Sequence, residues 1–488
     1  MARWILVALA LMLPFFAPAN APAAQPLETA VVDPSNFLEA EFDQMFERVR
    51  SSGSSAVRIT VYWSLVAPRG ASKPAGFDPT NPTDPAYRWE SLDRQVVSAV
   101  RHRLKPMLSV YSAPTWAERG SEGPTGSRRP DPAELASFAR AITRRYSGTL
   151  PGLPAVRLWQ VWNEPNIYRF LTPQFDSPLG QPVPRGARAL SPGIYRELLN
   201  AFAGVARSES RRNIVITGGM TPFARPYAAS PAVGPLRFMR ELLCLTPKNR
   251  PAPGCRQRAS FDVWAHHPYT DGGPNHSAQE PGNVSLGDLR QMERVLKAGI
   301  RTGHIRSSQR VRFWVTEISW DTNPPDPGGV PAKTHARWVA EAIYRMWRSG
   351  VSLVTWYTVR DDPTRGRPDP EVYQSGLYYR CDTGPACDRP KPALAAFRFP
   401  FVALPEAGRT VVWGRTPFGR RARVKLELRS GGGWRRVATL RTDSHGVFLR
   451  RFTRPRHGTM RAVASPGGAR SPGFRIGRTR DMEVHPFG

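Results

Sequence analysis

The sequence lacks the short motifs that mark several large classes of enzyme. It contains no phosphate-binding loop of the Walker type, no HExxH zinc motif and no GxSxG nucleophile elbow. It also has no cysteine or histidine ligands clustered at the spacing of a zinc finger, so we predict no metal site. We therefore look for the chemistry in other side chains and predict that it needs no cofactor.

Cysteine is scarce, with 4 residues in a chain of 488. Cys244 and Cys255 are close in sequence, and so are Cys381 and Cys387. Two local disulfides are the simplest pairing in an exported protein. Four cysteines allow three connectivities, however, and the sequence leaves the other two open.

Long apolar runs are also missing, apart from one near the start of the chain. Arg3 is followed by an apolar run from Trp4 to Phe16 and then by small residues and proline up to Ala24. The run is shorter than the roughly 20 residues that a membrane-spanning helix needs. This arrangement is typical of a secretory signal peptide, which we assign to residues 1–24. We therefore expect a secreted or cell-envelope-associated protein with no membrane span after cleavage.

Acidic residues are few, with 39 Asp and Glu against 69 Lys and Arg, which gives a formal net charge of +30. Such an excess favours polyanionic partners in general. No basic helix and no basic-aromatic ladder is present, so we expect no specific nucleic-acid partner. The basic residues 401–488 are instead expected to hold the protein near anionic cell-envelope polymers.

Short β-branched segments alternate with amphipathic helical stretches through most of the chain. The pattern predicts eight parallel strands and a (β/α)8 TIM barrel over residues 25–400. A doubly wound open sheet normally carries a glycine-rich loop after its first strand, and Val31–Asn36 contains no glycine. After residue 400, short strands separated by turn signals predict a small all-β, sandwich-like accessory domain over residues 401–488.

Two glutamates follow predicted strands and are therefore expected to face each other. Glu164 follows the fourth strand and Glu317 follows the seventh, and the active site of such a barrel lies at the carboxyl ends of its strands. Hydrolysis of a glycoside needs one carboxylic acid to protonate the leaving oxygen. A second carboxylate must attack the anomeric carbon or activate water. The sequence therefore predicts a glycoside hydrolase.

The segments around the two glutamates resemble the clan A glycoside hydrolases, with family 39 first and the family 5 cellulase-like enzymes second. Trp162–Pro165 matches the acid/base motif of the clan, and Val315–Glu317 matches its nucleophile motif. The likeness covers about residues 27–400. It implies a retaining double-displacement mechanism on β-linked oligo- or polysaccharides, with Glu164 as acid/base and Glu317 as nucleophile. Retaining enzymes hold the two carboxyl groups about 5–5.5 Å apart.

The resemblance also implies roles for residues around the two glutamates. Arg58 looks like the second-strand arginine that supports the nucleophile, and Asn163 is expected to bond the 2-hydroxyl of the substrate. His267 and Tyr269 are similar to the sixth-strand His-x-Tyr pattern. Trp356 falls where the eighth strand supplies a tryptophan platform for a sugar ring. All five are therefore predicted to contact the carbohydrate substrate or the catalytic carboxylates.

Two other functions fit parts of the sequence. The chain could be a carbohydrate-binding protein that has lost catalysis, or an exported polyanion-binding protein on a barrel scaffold. The presence of both glutamates favours an enzyme. Trp413 and Trp434 are the obvious sugar-stacking candidates in residues 401–488, for which we expect a structural or spacer role. Asp361-Asp362, after the eighth strand, is expected to be a solvated acidic turn.

Overall fold

The computed structural model describes residues 25–224, 230–363 and 372–484. The predicted signal peptide, residues 1–24, lies outside the described residues. Within these ranges no helix combines the length and the apolar character that crossing a membrane requires.

Eight parallel strands form a closed barrel, which confirms the predicted fold class. Each strand pairs with the next, and the circle closes where Glu28 of the first strand lies opposite Leu353 of the last. Because all the strands run in one direction, their carboxyl ends meet at one rim of the barrel. The strands are β1 Glu28–Val32, β2 Ala56–Tyr62, β3 Lys105–Tyr111, β4 Leu158–Val161, β5 Ile214–Thr217, β6 Val263–His266, β7 Arg312–Val315 and β8 Val351–Tyr357.

Helices connect the strands and cover the outside of the barrel. Their apolar residues recur at helical spacing, as in the helix Glu90–Arg101, where Leu92, Val96 and Ala99 are buried. The helix Pro132–Arg145 begins after Asp131, whose side chain accepts a hydrogen bond from the backbone of Ala133 at 2.8 Å. The helices are α1 Phe42–Ser51, α2 Trp63–Val66, α3 Glu90–Arg101, α4 Pro132–Arg145, α5 Ser191–Glu209, α6 Pro235–Leu242, α7 Leu289–Arg301, α8 Ala332–Arg348 and α9 Pro392–Arg398.

After the barrel the chain forms antiparallel β-sheets, as predicted. The strands are β9 Phe401–Glu406, β10 Arg409–Arg415, β11 Arg423–Ser430, β12 Gly433–Arg441, β13 Val447–Phe452 and β14 Thr459–Ser465. Strands β9, β10 and β13 make one sheet, and β12, β11 and β14 make a second, which is extended by the short strands Ala469–Arg470 and Phe474–Arg475.

Trp413 lies where the first of these sheets packs against the barrel. It is 0% exposed, and its ring lies 5.4 Å from that of Tyr344 and 5.6 Å from that of Trp347, both on α8. A tryptophan without an accessible face cannot stack on a sugar. Its candidacy as a sugar-binding residue is therefore wrong, because packing between the sheet and α8 leaves the ring fully buried.

The last described residues return to the carboxyl end of the barrel. The indole of Trp338 donates to the carbonyl of Arg480 at 3.1 Å. Asp481 accepts a hydrogen bond from the backbone of Gly273 at 2.6 Å, and the backbone of Val484 donates to Asp271 at 2.9 Å. This C-terminal tail, residues 478–484, therefore fastens the loop that begins just after Tyr269.

The four cysteines form two local pairs. The structure joins Cys244 to Cys255 and Cys381 to Cys387, with Cα atoms 5.5 and 5.7 Å apart. These separations fall in the range usual for disulfides. Each pair closes a short loop beside the barrel.

We expect Trp413→Ala to lower the free energy of unfolding by about 3–5 kcal/mol, because it leaves a large cavity between a sheet and α8. Thermal and denaturant unfolding measure the loss. Trp434→Ala is the matched control, because Trp434 is only half buried and should cost far less. Equal losses for the two variants would contradict this description of the interface.

We also expect the protein to lose stability in acid through two buried histidines. Burial lowers the pKa of His266 and of His335 from 6.5 to about 3. Below pH 6.5 these two histidines therefore bind protons in the unfolded chain but not in the folded chain. Each histidine should remove about 1.4 kcal/mol per pH unit as the pH falls from 6.5 towards 3. His335→Phe should reduce this slope in denaturant unfolding measured at several pH values, and an unchanged slope would contradict it.

Candidate active site

The two predicted glutamates lie together at the carboxyl rim of the barrel. Glu164 follows β4 and Glu317 follows β7, and their side chains are 13% and 12% exposed. One oxygen of each carboxylate lies within 4.8 Å of one oxygen of the other. The backbone N–H of Glu164 donates to the carbonyl of Gly219 at 2.9 Å, which fixes the loop after β4. The carboxyl rim of the barrel thus forms a cup around Glu164 and Glu317, and this cup holds a close, partly accessible pair of acids.

Arg58 lies beneath this pair, on β2, with 1% of its surface exposed. Its Nη1 donates to Oε1 of Glu317 at 2.6 Å, and its Nη2 donates to Oδ1 of Asn163 at 2.9 Å and to Ser109 at 3.0 Å. Its Nε donates to Oε1 of Gln160 at 2.6 Å. A buried charge needs such partners. Arg58 therefore compensates the negative charge of Glu317 and orients Asn163.

A second set of hydrogen bonds leads from Gln160 to the other glutamate. Nε2 of Gln160 lies 3.0 Å from Oγ1 of Thr316, which lies 3.0 Å from Nε2 of His267. Nδ1 of His267 is 2.9 Å from Oε1 of Glu164 and 3.6 Å from Oε2 of Glu317. One continuous chain of hydrogen bonds thus joins the two carboxylates through the floor of the cup. The sequence reasoning missed Gln160, a polar residue inside a buried strand, and Thr316, a polar residue directly after one.

His267 fits its place because the residue opposite is glycine. A Cβ atom built on Gly219 would lie 1.9 Å from Nε2 of the imidazole. Only glycine allows the backbone of the loop after β5 to approach the ring so closely. The ring is therefore held between that backbone and the two glutamates.

Tyr269 contacts Glu317 from another side. Its hydroxyl donates to Oε2 of the carboxylate at 3.2 Å. Burial, with the nearby negative charge of Glu317, raises the pKa of Tyr269 well above its ordinary value. The phenol therefore keeps its proton and acts as a hydrogen-bond donor to the carboxylate.

Trp356 does not line the cup, which contradicts its predicted role as a sugar platform. It is 1% exposed, its ring packs against Trp320 and His335, and its indole N–H donates to Ser375 at 2.9 Å. Successive side chains of a strand point to opposite faces. The next residue, Tyr357, is therefore the one on the side of Glu317.

Tyrosines surround the cup, where the sequence analysis expected Trp356. The rings of Tyr62 and Tyr111 lie 5.2 Å apart, and those of Tyr357 and Tyr373 lie 4.9 Å apart. Burial, with a contribution from the negative charge of Glu317, raises the pKa values of Tyr111 and Tyr357 well above the ordinary value. Tyr111 and Tyr357 therefore line the cup as neutral phenols, which combine aromatic faces with hydroxyl donors.

Asp361 and Asp362 are not a solvated acidic turn, because they are only 2% and 8% exposed. Asp361 accepts hydrogen bonds from Nζ of Lys391 at 2.6 Å and from the backbone of Gly376 at 2.9 Å. Burial raises the pKa of Asp361 to about 6 and lowers that of Lys391. The pair holds the segment that carries Tyr373.

Glu164, His267 and Glu317 are also the residues that could offer three ligand atoms to a metal ion within the described ranges. Arg58 already places a positive charge 2.6 Å from Glu317. A second cation at that carboxylate would meet electrostatic repulsion. The arrangement therefore suits proton transfer and nucleophilic attack better than metal binding.

No family model and no curated protein matches this sequence. Among solved structures, the chain is similar to a family 39 glycoside hydrolase from Bacteroides cellulosilyticus WH2, with 16% identity over 87% of this chain and 81% of that one, and a TM-score of 0.50. A glucosidase from Croceicoccus marinus gives 12% identity, coverage of 88% and 93%, and a TM-score of 0.46.

A family 30 endoxylanase from Clostridium papyrosolvens C71 gives 10% identity, coverage of 88% of this chain and 93% of that one, and a TM-score of 0.45. The structural neighbours of the chain thus include glycoside hydrolases of families 39 and 30, and of family 5 as well. At these low identities the likeness concerns the fold: the chain folds as a barrel of the kind found in the family 39 enzyme.

Proposed function

We propose that the protein is a secreted retaining glycoside hydrolase that cleaves O-glycosidic bonds in β-linked oligo- or polysaccharides. The main support for the proposal is the short distance between Glu164 and Glu317: one carboxylate oxygen of each lies within 4.8 Å of one of the other. Retaining enzymes hold their carboxyl groups about 5–5.5 Å apart, whereas inverting enzymes need about 6.5–9.5 Å to admit a water molecule. In this proposal the barrel, residues 25–400, is the catalytic domain, and residues 401–488 form an accessory domain.

The first step of the proposed reaction is attack by Glu317 on the anomeric carbon. Glu164 gives its proton to the leaving oxygen as the glycosidic bond breaks, and a glycosyl ester with Glu317 forms. Hydrogen bonds from Arg58 and Tyr269 orient the attacking carboxylate. Nδ2 of Asn163 has no partner within the described part of the chain, so it is available to the 2-hydroxyl, a contact that can strengthen in the transition state.

The second step hydrolyses the glycosyl ester. Glu164, now a carboxylate, takes a proton from a water molecule that attacks the anomeric carbon, and the bond to Glu317 breaks. Two inversions at the same carbon restore the original configuration. The tyrosines around the cup supply aromatic faces on which sugar rings can stack.

We expect Glu317→Ala to abolish turnover of aryl β-glycosides and β-linked polysaccharides. Glu164→Ala should lower kcat about 10²- to 10⁴-fold for substrates with poor leaving groups, because general acid catalysis is lost. Glu122→Ala, an exposed glutamate on a neighbouring loop, is the control and should retain activity. Nuclear magnetic resonance of the first product should show the anomer of the substrate. An inverted product would refute the retaining mechanism, and equal activity of wild type and Glu317→Ala would refute the assignment.

A second function, binding of an acidic cell-envelope polysaccharide, is favoured by one face of the accessory sheets. We define the basic face as the outer side of β12, β11 and β14. Its cations alternate with buried residues such as Val424 and Leu426, and Glu427 is the acid among them. The cations are Arg423, Lys425, Arg429, Arg436, Arg441 and Arg461.

Repulsion between like charges on the basic face lowers the stability of the sheet. Arg423 lies directly opposite Arg441 on the neighbouring strand, and like charges in that position repel. Of the six cations, Arg461 is the one paired with Glu427, at 2.8 Å. Trp434, opposite Arg429, lies under the guanidinium of Arg461, which is 4.0 Å from the centre of its ring. The five cations without an ion-pair partner in the described part of the chain suit a polymer of charged sugars.

We expect Arg423→Glu combined with Lys425→Glu to weaken binding to a polyuronate at least about tenfold, because two attractions become repulsions. Affinity electrophoresis at several salt concentrations measures the change. Arg211→Glu combined with Arg212→Glu alters the charge equally on an exposed part of the barrel and should leave binding unchanged. Equal losses in both variants, or equally tight binding of DNA by the wild type, would contradict a polysaccharide-specific face.

A further inference from the structure

We propose that Gln160 and Thr316 are positioning residues that hold Nε2 of His267 unprotonated. His267 then stands between the two glutamates as a neutral imidazole with its hydrogen on Nδ1. Gln160, Thr316 and His267 are each 0% exposed, so their hydrogen bonds have no competition from solvent. The catalytic consequence of the inference rests on the proposed function, whereas the protonation state itself does not.

The direction of the hydrogen bonds is set by Arg58. A guanidinium has only donors, so the atom of Gln160 that lies 2.6 Å from Nε of Arg58 must be the carbonyl oxygen. The amide nitrogen of Gln160 then faces two oxygens, the carbonyl of Thr217 at 3.1 Å and Oγ1 of Thr316 at 3.0 Å. A backbone carbonyl can only accept. The two amide hydrogens are therefore used, one on each oxygen.

Thr316 consequently accepts a hydrogen bond from Gln160 and has one hydrogen of its own to donate. Its other neighbour within the described residues is Nε2 of His267, at 3.0 Å. A buried hydroxyl hydrogen without an acceptor is costly. The hydrogen is therefore directed at Nε2, which must offer a lone pair, and the N–H of the ring is on Nδ1.

The chain of donors thus runs in one direction, from Arg58 to Glu164. Nδ1 of His267 donates to Oε1 of Glu164 at 2.9 Å, with Oε2 of Glu317 next nearest at 3.6 Å. When Glu164 is a carboxylic acid, its own proton is then on Oε2, the oxygen not engaged by the imidazole. That proton is free to pass to a leaving group.

The neutral state of His267 matters for the general acid. An imidazolium at this distance would favour the carboxylate form of Glu164 through its positive charge. A second proton on Nε2 would make the hydroxyl of Thr316 accept from both Gln160 and His267, which would leave its buried hydrogen without an acceptor among the described residues. Gln160 and Thr316 thereby help Glu164 to keep its proton until the leaving oxygen needs it.

Two-bond ¹H–¹⁵N spectra of the full-length chain, labelled with ¹⁵N-histidine, test the protonation state directly. His267→Gln identifies the signals of His267. We expect a protonated, pyrrole-type Nδ1 and an unprotonated, pyridine-type Nε2. In Gln160→Glu the new side chain still accepts from Arg58 but has no N–H, so Thr316 should donate to it and Nε2 should become protonated. A protonated Nε2 in the wild type, or an unchanged Nε2 in this variant, would overturn the proposal.

Kinetics of Thr316→Val and Thr316→Ser test the catalytic consequence. Thr316→Val should lower kcat/KM about tenfold or more for a glycoside with a poor leaving group and much less for a dinitrophenyl glycoside, which needs no acid. Thr316→Ser keeps the hydroxyl and should restore the rate. Equal losses on both substrates would show a merely structural role and overturn this part. A wild type that hydrolyses no glycoside would refute the proposed function, while the spectra would still decide the state of His267.

Discussion

The guanidinium of Arg58 lies at the floor of the cup, where its hydrogen bonds reach β3, β4, the loop after β4 and the loop after β7. Each of these contacts is a donation, since arginine has no acceptor. Because Arg58 can only donate, it compensates the charge of Glu317 and fixes the orientation of the side-chain amides of Asn163 and Gln160. A lysine in its place could supply the charge but not four bonds in a fixed plane.

Much of the fold and part of the site could be predicted from the sequence. Alternating strands and helices suffice to predict a barrel. The meeting of Glu164 and Glu317 follows from their places at strand ends, since a closed parallel barrel gathers those ends at one rim. Phe401–Glu406 forms a strand although Pro405 interrupts its pattern, so local sequence does not indicate it.

The remaining site residues depend on contacts between distant segments. Trp356 and Tyr357 are neighbours on one strand, and only the register of that strand decides which of them faces the cup. Gln160 and Thr316 are 156 residues apart in sequence, and their hydrogen bond across the barrel forms only in the folded chain. The burial of Asp361 depends on Lys391, 30 residues away, and local polarity cannot reveal such a partner.

The C-terminal tail limits how the accessory sheets could be exchanged. Asp481 and Val484 follow those sheets in sequence, yet they hold the loop that begins after Tyr269, at the carboxyl rim of the barrel. A chain whose accessory sheets were replaced together with the tail would lack these contacts. The segment that carries the sheets therefore also supports the rim on which the site is built.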